Sequence, residues 1–395
     1  MRVEGVEAGL RALEGPALTR IARAAVRSDA VEVTEWRWEP LRASLGIATA
    51  GLYRVHGAVR GRGGTALGWA AVLKVVRPPS GTRHDAVARD PHHWAYWKRE
   101  PLAYGSGLLA DLPGGLAAPR CLHLEERRSA DGEAVWLWLE EVADRYGGWW
   151  PAQRTLLAAR HLGAFSGAYL ERRPLPDAPW LGRGYLRQRM EGASNGLPLF
   201  DDEATWRHDL LRDRFDPNTG ERLRAVWARR SRLLDALDRL PQTLCHGDCH
   251  RGNLFALPGP RSAATEDEER TAAIDWGAVG IGPVGADLAD LALSRAVGDE
   301  LLAPGGADFG ERLFGSYAEG LRAAGWGGEP RAARLGLAAT AALAGTSRLH
   351  WTLVRALDAR RRGALEGTLW RDADDVLRRW AALTRFFLAL ADEAA

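Results

Sequence analysis

The sequence predicts an α+β chain in two lobes, a small N-terminal lobe of mostly antiparallel sheet with one main helix and a large helical C-terminal lobe. Two observations carry this expectation. Segments of β-branched and aromatic residues with alternating character crowd the first part of the chain, whereas apolar residues at helical spacing dominate the rest. The change falls near Tyr146-Gly147-Gly148, so the expected lobes are 1–143 and 144–395. A chain of 395 residues also suits two or three domains at roughly 150 residues each.

The elements follow in order. Leu10 to Val26 has helical spacing and reads as one or two short helices. Val31 to Trp38, Leu52 to Val59 and Ala66 to Val76 read as strands, the last two joined by the turn RGRGG and the third ended by Pro78-Pro79. Residues 92–110 predict a helix broken near Pro101. Pro119 to Arg127 and Glu133 to Val142 form the next strand pair, around the turn SADG. Beyond the change in period, Gln153 to Arg172 predicts an amphipathic helix, and Glu203 to Leu240 a nearly continuous one broken at DPNTG. Short strands and loops occupy Gln242 to Gly282, with the polar run RSAATEDEER as a turn, and helices fill the remainder.

Composition excludes several classes. Hydrophobic residues make up 46% and charged residues 26%, which is ordinary globular usage. Net charge is +2, from 53 basic and 51 acidic side chains, so no nucleic-acid partner is expected. Three cysteines cannot make a disulfide framework, and neither a secretory pattern nor a long apolar span is visible, so a cytoplasmic chain without a membrane partner is expected. Only Lys74 and Lys98 are lysine, against 51 arginines (53 − 2). A lysine retained in so arginine-rich a chain points to chemistry specific to an ammonium group.

The densest chemistry lies in Leu244 to Phe255, LCHGDCHRGNLF, followed by Ile274-Asp275-Trp276-Gly277 at the end of an apolar strand. Phosphoryl transfer needs a carboxylate to position the attacking hydroxyl and accept its proton, and hard oxygen ligands for Mg²⁺. Asp248 suits the first task, and Asn253 and Asp275 the second. Single aspartates or asparagines in loops are usually turn formers, but three at these spacings form a constellation. Cys245, His246, Cys249 and His250 admit a zinc reading, weakened by dense spacing and the lack of a second Cys/His pair. Lys74, in the strand AAVLKVV, is a cation with apolar neighbours on both sides and so needs a partner or a phosphate. Glu100, in WAYWKREPLAY, stands in the right order to pair with it. Of the 17 tryptophans, Trp149, Trp150, Trp180 and Trp206 are the better candidates for ligand contact.

HGDCHRGN followed by IDWGAVGIGPVGADLADL resembles the catalytic core of the aminoglycoside phosphotransferase family, relatives of the choline kinases and of eukaryotic-type protein kinases. The resemblance extends over nearly the whole chain and implies the two-lobed protein-kinase-like fold. It implies transfer of the γ-phosphoryl group of ATP or GTP to a hydroxyl of a sugar, aminoglycoside, amino alcohol or similar small molecule. Asp248 would be the base and Asn253 and Asp275 the Mg²⁺ ligands, while Lys74 would hold the phosphates and pair with Glu100. Asp287 matches a position that braces the catalytic loop. Glu141, Val142 and Ala143 match the hinge that holds adenine through its main chain, and Thr49 lies between Gly46 and Gly51 in a degenerate phosphate loop. Two other readings stay open: an inactive nucleotide-binding or sensory protein, and a protein kinase, although no A-P-E sequence follows Asp275.

Overall fold

The structure, a computed structural model, describes residues 2–41, 46–61, 64–82, 84–129, 132–192, 197–259, 269–304, 306–363 and 372–394. The central residues of the predicted turns RGRGG and SADG, and most of RSAATEDEER, lie outside the described residues. The chain divides into two compact units, one comprising Met1–Leu112, Ala117–Ala143 and Ile274–Gly277, the other Pro113–Leu116, Asp144–Ala273 and Ala278–Ala395.

The first unit opens with helices α1 (Arg2–Arg11) and α2 (Gly15–Val26), then strands β1 (Val31–Pro40), β2 (Thr49–Gly61) and β3 (Ala66–Val76). Helix α3 (Arg99–Gly105) and strands β5 (Cys121–Ser129) and β6 (Gly132–Glu140) follow. The short β4 (Leu116–Ala117), between α3 and β5, joins a separate sheet of order β4-β10-β9 with the later strands β9 (Leu254–Leu257) and β10 (Arg270–Ala273). The five-stranded sheet has the order β1-β2-β3-β6-β5 and is antiparallel throughout. Side-chain alternation assigns its two faces. Trp69, Ala71, Leu73 and Val75 of β3 pack with Leu18, Ile21 and Ala22 of α2, and Trp136 and Trp138 join that core. Val76 turns to the other face and packs with Trp97 and Val135. Lys74 shares the parity of Val76, and β3 is the central strand, so its backbone pairs with Leu52 on one side and Leu137 on the other.

The expected helix over 92–110 is reduced to α3. Residues 84–98 are a series of turns gathered by Arg99, which is fully buried and donates to the carbonyls of Pro91, His93 and Trp94 at 3.3, 2.8 and 2.8 Å. Pro101 does not break this helix. It lies in the first turn, where its missing N–H would be unpaired anyway.

The second unit contains α4 (Ala152–Glu171), β7 (Gly182–Arg183), α5 (Tyr185–Glu191), α6 (Glu203–Arg207), α7 (Thr219–Ala228) and α8 (Arg230–Asp238). Then come β8 (Gln242–Cys245), β9 (Leu254–Leu257), β10 (Arg270–Ala273), β11 (Gly280–Pro283), α9 (Ala286–Ala292), α10 (Arg295–Leu302), α11 (Phe309–Ala323), α12 (Pro330–Ala356) and a last helix, Ala373–Glu393. Helices α4 and α11 meet backbone to backbone. A Cβ on Gly163 would lie 2.0 Å from the Tyr317 carbonyl oxygen, and one on Gly320 would lie 2.0 Å from that of Arg160. The long helix expected over Glu203–Leu240 is instead three short ones, and residues 208–218 are mostly turns. Tertiary packing overrides helical pattern there: Trp206 packs against Phe200 and, edge-on, against Phe215, and Gly220 abuts its indole.

Candidate active site

In the first unit three of the expected residues converge. Lys74 Nζ lies 2.6 Å from Glu100 Oε2 and 2.8 Å from Asp275 Oδ1. The Lys74 and Glu100 side chains are 9% and 4% exposed, whereas Asp275 is 40% exposed. Burial alone would drive the lysine toward its neutral form, but the two carboxylates overcome it and raise its pKa above the ordinary value. The Glu100 carboxyl is pushed up by burial, with Lys74 and the Trp276 backbone N–H working against that push. Asp275 itself has φ of +61°, in the left-handed region that aspartate tolerates better than most residues.

The other expected nucleotide contacts lie on the same unit. Gly46 to Thr49 form a turn closed by the Thr49 N–H donating to the Gly46 carbonyl at 3.1 Å, and a register shift follows between Thr49 and Gly51. Glu141, Val142 and Ala143 leave the end of β6 in irregular backbone. The Glu141 side chain pairs with Arg54 at 2.5 Å, which leaves main chain as what this segment can offer a ligand.

The second unit holds Asp248 and Asn253, on the loop between β8 and β9. Asn253 Nδ2 donates to the Asp248 carbonyl at 3.0 Å and to Asp248 Oδ2 at 3.1 Å. That orientation fixes the Asp248 carboxylate and leaves the Asn253 amide oxygen free of this contact, as a hard donor for a cation. Asp287, at the start of α9, accepts from the N–H groups of His246 and Gly247 at 2.8 and 2.9 Å and so clamps the loop from behind. Burial pushes Asp287 up to about 7 against those two hydrogen bonds. Gly247 has φ of +81°, and a Cβ there would lie 2.5 Å from the Ala278 carbonyl oxygen. His250 caps the short turn that ends the loop by accepting from the Gly252 N–H at 3.0 Å, and its Nε2 is 3.7 Å from Asp248 Oδ2.

Sequence reasoning missed two further groups here. Arg251, inside the loop, pairs with Asp144 at 2.5 Å and stacks on the Trp150 ring, 3.9 Å from its centroid. Arg154 also lies over that ring, 4.2 Å from its centroid, and the indole N–H donates to Asp144. Trp150 is buried and engaged with these three side chains. Trp206 is likewise engaged with its phenylalanines. The second group is Asp290, paired with Arg348; burial raises the Asp290 carboxyl, and Asp248 adds to the push. Neither arginine could stand out in a chain that uses the residue 51 times (53 − 2).

The zinc reading finds no support. Cys245 and Cys249 are buried, with thiols pushed well up by burial and by the nearby aspartates. Among the described residues no three His, Cys, Asp or Glu side chains are gathered to hold a metal ion. Magnesium needs no such cage, since it keeps waters and takes phosphate oxygens alongside one or two protein ligands. No helix among the described residues is long and apolar enough to cross a membrane.

The phosphotransferase enzyme family matches residues 106–326, more than half of the chain. No curated protein matches. Among solved structures, a microcompartment-associated aminopropanol kinase is similar with a TM-score of 0.54 at 16% identity, over 94% of this chain and 98% of that one. The amicoumacin kinase hAmiN, in complex with AMP-PNP, Ca²⁺ and Ami, gives 0.47 at 14% identity, over 93% and 96%. An ethanolamine kinase of Plasmodium vivax gives 0.47 at 10% identity, over 90% and 83%. The chain thus has the kinase-like fold of the aminopropanol enzyme. It belongs to the phosphotransferase enzyme family and is a phosphotransferase whose acceptor is an alcohol group.

Proposed function

We propose that the chain transfers the γ-phosphoryl group of ATP, or of GTP, to a hydroxyl of a small molecule: a sugar, an aminoglycoside, an amino alcohol or a related metabolite. The observation that supports this most is the buried ammonium of Lys74 on a central strand, held between Glu100 and Asp275. A buried cation is costly unless paired; Glu100 and Asp275 hold this one in its charged form, and its compact charge suits the α- and β-phosphates. Thr49 and the main chain of Glu141, Val142 and Ala143 are the proposed contacts for phosphate and adenine.

Asp248 orients the acceptor hydroxyl and takes its proton as the oxygen attacks phosphorus, a task worth ~10²–10⁴ in rate for a positioned base. Asn253 keeps the carboxylate aimed, and Asp287 holds the loop backbone that carries it. Asn253 and Asp275 are the proposed ligands of Mg²⁺, each with an oxygen donor suited to it. When bound, Mg²⁺ neutralises charge on the β- and γ-phosphates.

The acceptor surroundings do not single out a polycation. Arg187 pairs with Asp235 and Asp238, Arg207 with Glu203, and Arg212 with Asp209, so the acids there are largely offset by arginines. The test is a coupled ADP-release screen over sugars, amino sugars, aminoglycosides and amino alcohols, with Asp248→Ala as the blank. Turnover on one class, absent in the blank, is expected. Nucleotide binding with no turnover on any acceptor would favour the inactive, sensory reading instead.

A further inference from the structure

We propose that the first unit carries a second binding site, for a small, multiply charged, phosphate-bearing anion, in the cavity between α2 and the start of β5. The cavity has a volume of about 660 Å³, within the range of small-molecule sites. Its walls carry four arginines, Arg20, Arg23, Arg27 and Arg120, against one acid, Asp29. The whole chain has a net charge of only +2, so this cluster is a strong local excess. It lies on the α2 side of the sheet, the face of Ala71 and Leu73, whereas Lys74 belongs to the opposite face.

The cluster is partly preorganised. Arg20 and Arg23 stand three residues apart on α2, and Arg27 follows the end of that helix with φ of +56°, while all three line the cavity. Arg23 Nε donates to the Val31 carbonyl at 2.9 Å. Arg120 donates to the carbonyls of Ala24 and Ala25 at 2.9 and 3.2 Å and pairs with Glu140 at 3.1 Å, while its buried Nε has no partner. Arg20, Arg23 and Arg27 have no ion-pair partner among the described residues. Like charges gathered around one cavity repel one another. A ligand that brings several anionic oxygens relieves that repulsion and satisfies guanidinium groups whose planar forks match phosphate in pairs of hydrogen bonds. A concave site of this size on a nearly neutral chain suits a phosphorylated small molecule better than a nucleic-acid strand.

The experiment is isothermal titration of the full chain with inorganic pyrophosphate at low ionic strength. Three proteins are compared: the unaltered chain, Arg20→Ser/Arg27→Ser, and Arg331→Ser/Arg361→Ser as a control for lost charge elsewhere. All four arginines are largely exposed, so the variants fold. The expected result is binding by the unaltered chain and by the control, with affinity weakened ~tenfold or more in Arg20→Ser/Arg27→Ser, because charge-assisted contacts are lost. Equal affinity in all three, an equal loss in both variants, or no binding by the unaltered chain would each overturn the proposal. None of these outcomes depends on turnover, so the site and the kinase reading stand or fall separately.

Discussion

Replacing Lys74 with methionine tests what the buried ion cluster costs and what it secures. Methionine fills the aliphatic stem, so the loss is chiefly that of the charge. Asp275, 40% exposed, returns to water at a cost of ~0–1 kcal/mol. Glu100 cannot do so: it is 4% exposed and its Oε1 makes no hydrogen bond among the described residues. A buried charge stripped of its partner costs ~3–5 kcal/mol. Protonation sets a ceiling, because the carboxyl can escape by taking up a proton. From an unfolded pKa of ~4.3, holding it neutral at pH 7 costs roughly 3.7 kcal/mol. In the variant the upward push on Glu100 is no longer opposed by Lys74. An acid whose folded pKa lies above its unfolded one loses stability as pH rises from the unfolded value toward the folded one. The deficit of the variant is therefore expected to be about 4 kcal/mol at pH 7 and about 2 kcal/mol at pH 5.5. Urea unfolding of both proteins across that range measures it. A deficit below ~1 kcal/mol, or one that does not shrink on acidification, would refute the reasoning.

Other expectations concern the reaction itself. Asp248→Ala should lose ~10²–10⁴ in turnover with nucleotide affinity nearly unchanged, checked by kcat and by nucleotide titration. Asp275→Ala should shift the Mg²⁺ titration of activity to higher concentration; an unchanged Mg²⁺ dependence would remove it as a metal ligand. Arg251→Ala breaks the pair with Asp144 and the stack on Trp150, so kcat should fall ~tenfold or more while KM for nucleotide holds, with Arg251→Lys recovering only part because an ammonium cannot stack. Lys74→Arg should lose most of kcat/KM for nucleotide, whereas Lys98→Arg, which leaves an exposed pairing with Glu126 intact, should be nearly silent.

Which parts of this were legible from sequence follows from how each residue works. Strand β3 spans Ala66–Val76 in sequence pattern and structure alike, because period, β-branching and the prolines that follow agree. Lys74 stood out by rarity and the catalytic loop by spacing, both properties of the chain itself. Arg99 and Arg251 could not be found in that way, since each acts through tertiary contacts and neither differs in composition from dozens of other arginines. The turns at 92–98 and 208–218 read as helix in the sequence for a related reason. Their backbone groups and aromatics are satisfied by side-chain contacts that hydrophobic period does not reveal, a buried guanidinium in one and the Phe200–Trp206–Phe215 cluster in the other. Asp287 was legible only as a brace in general; that it receives two specific N–H groups, from His246 and Gly247, needed coordinates.

The distribution of the three cysteines has a practical consequence. Cys245 and Cys249 are buried with thiols held far from ionisation, while Cys121 is exposed and its thiol is raised more modestly by burial. Alkylation proceeds through the thiolate, so in the folded protein a maleimide dye marks Cys121 alone, without prior mutagenesis. Cys121 also lines the arginine-walled cavity. A fluorophore attached there reports on that cavity from within, while the thiol next to Asp248 stays sealed until the chain unfolds around it.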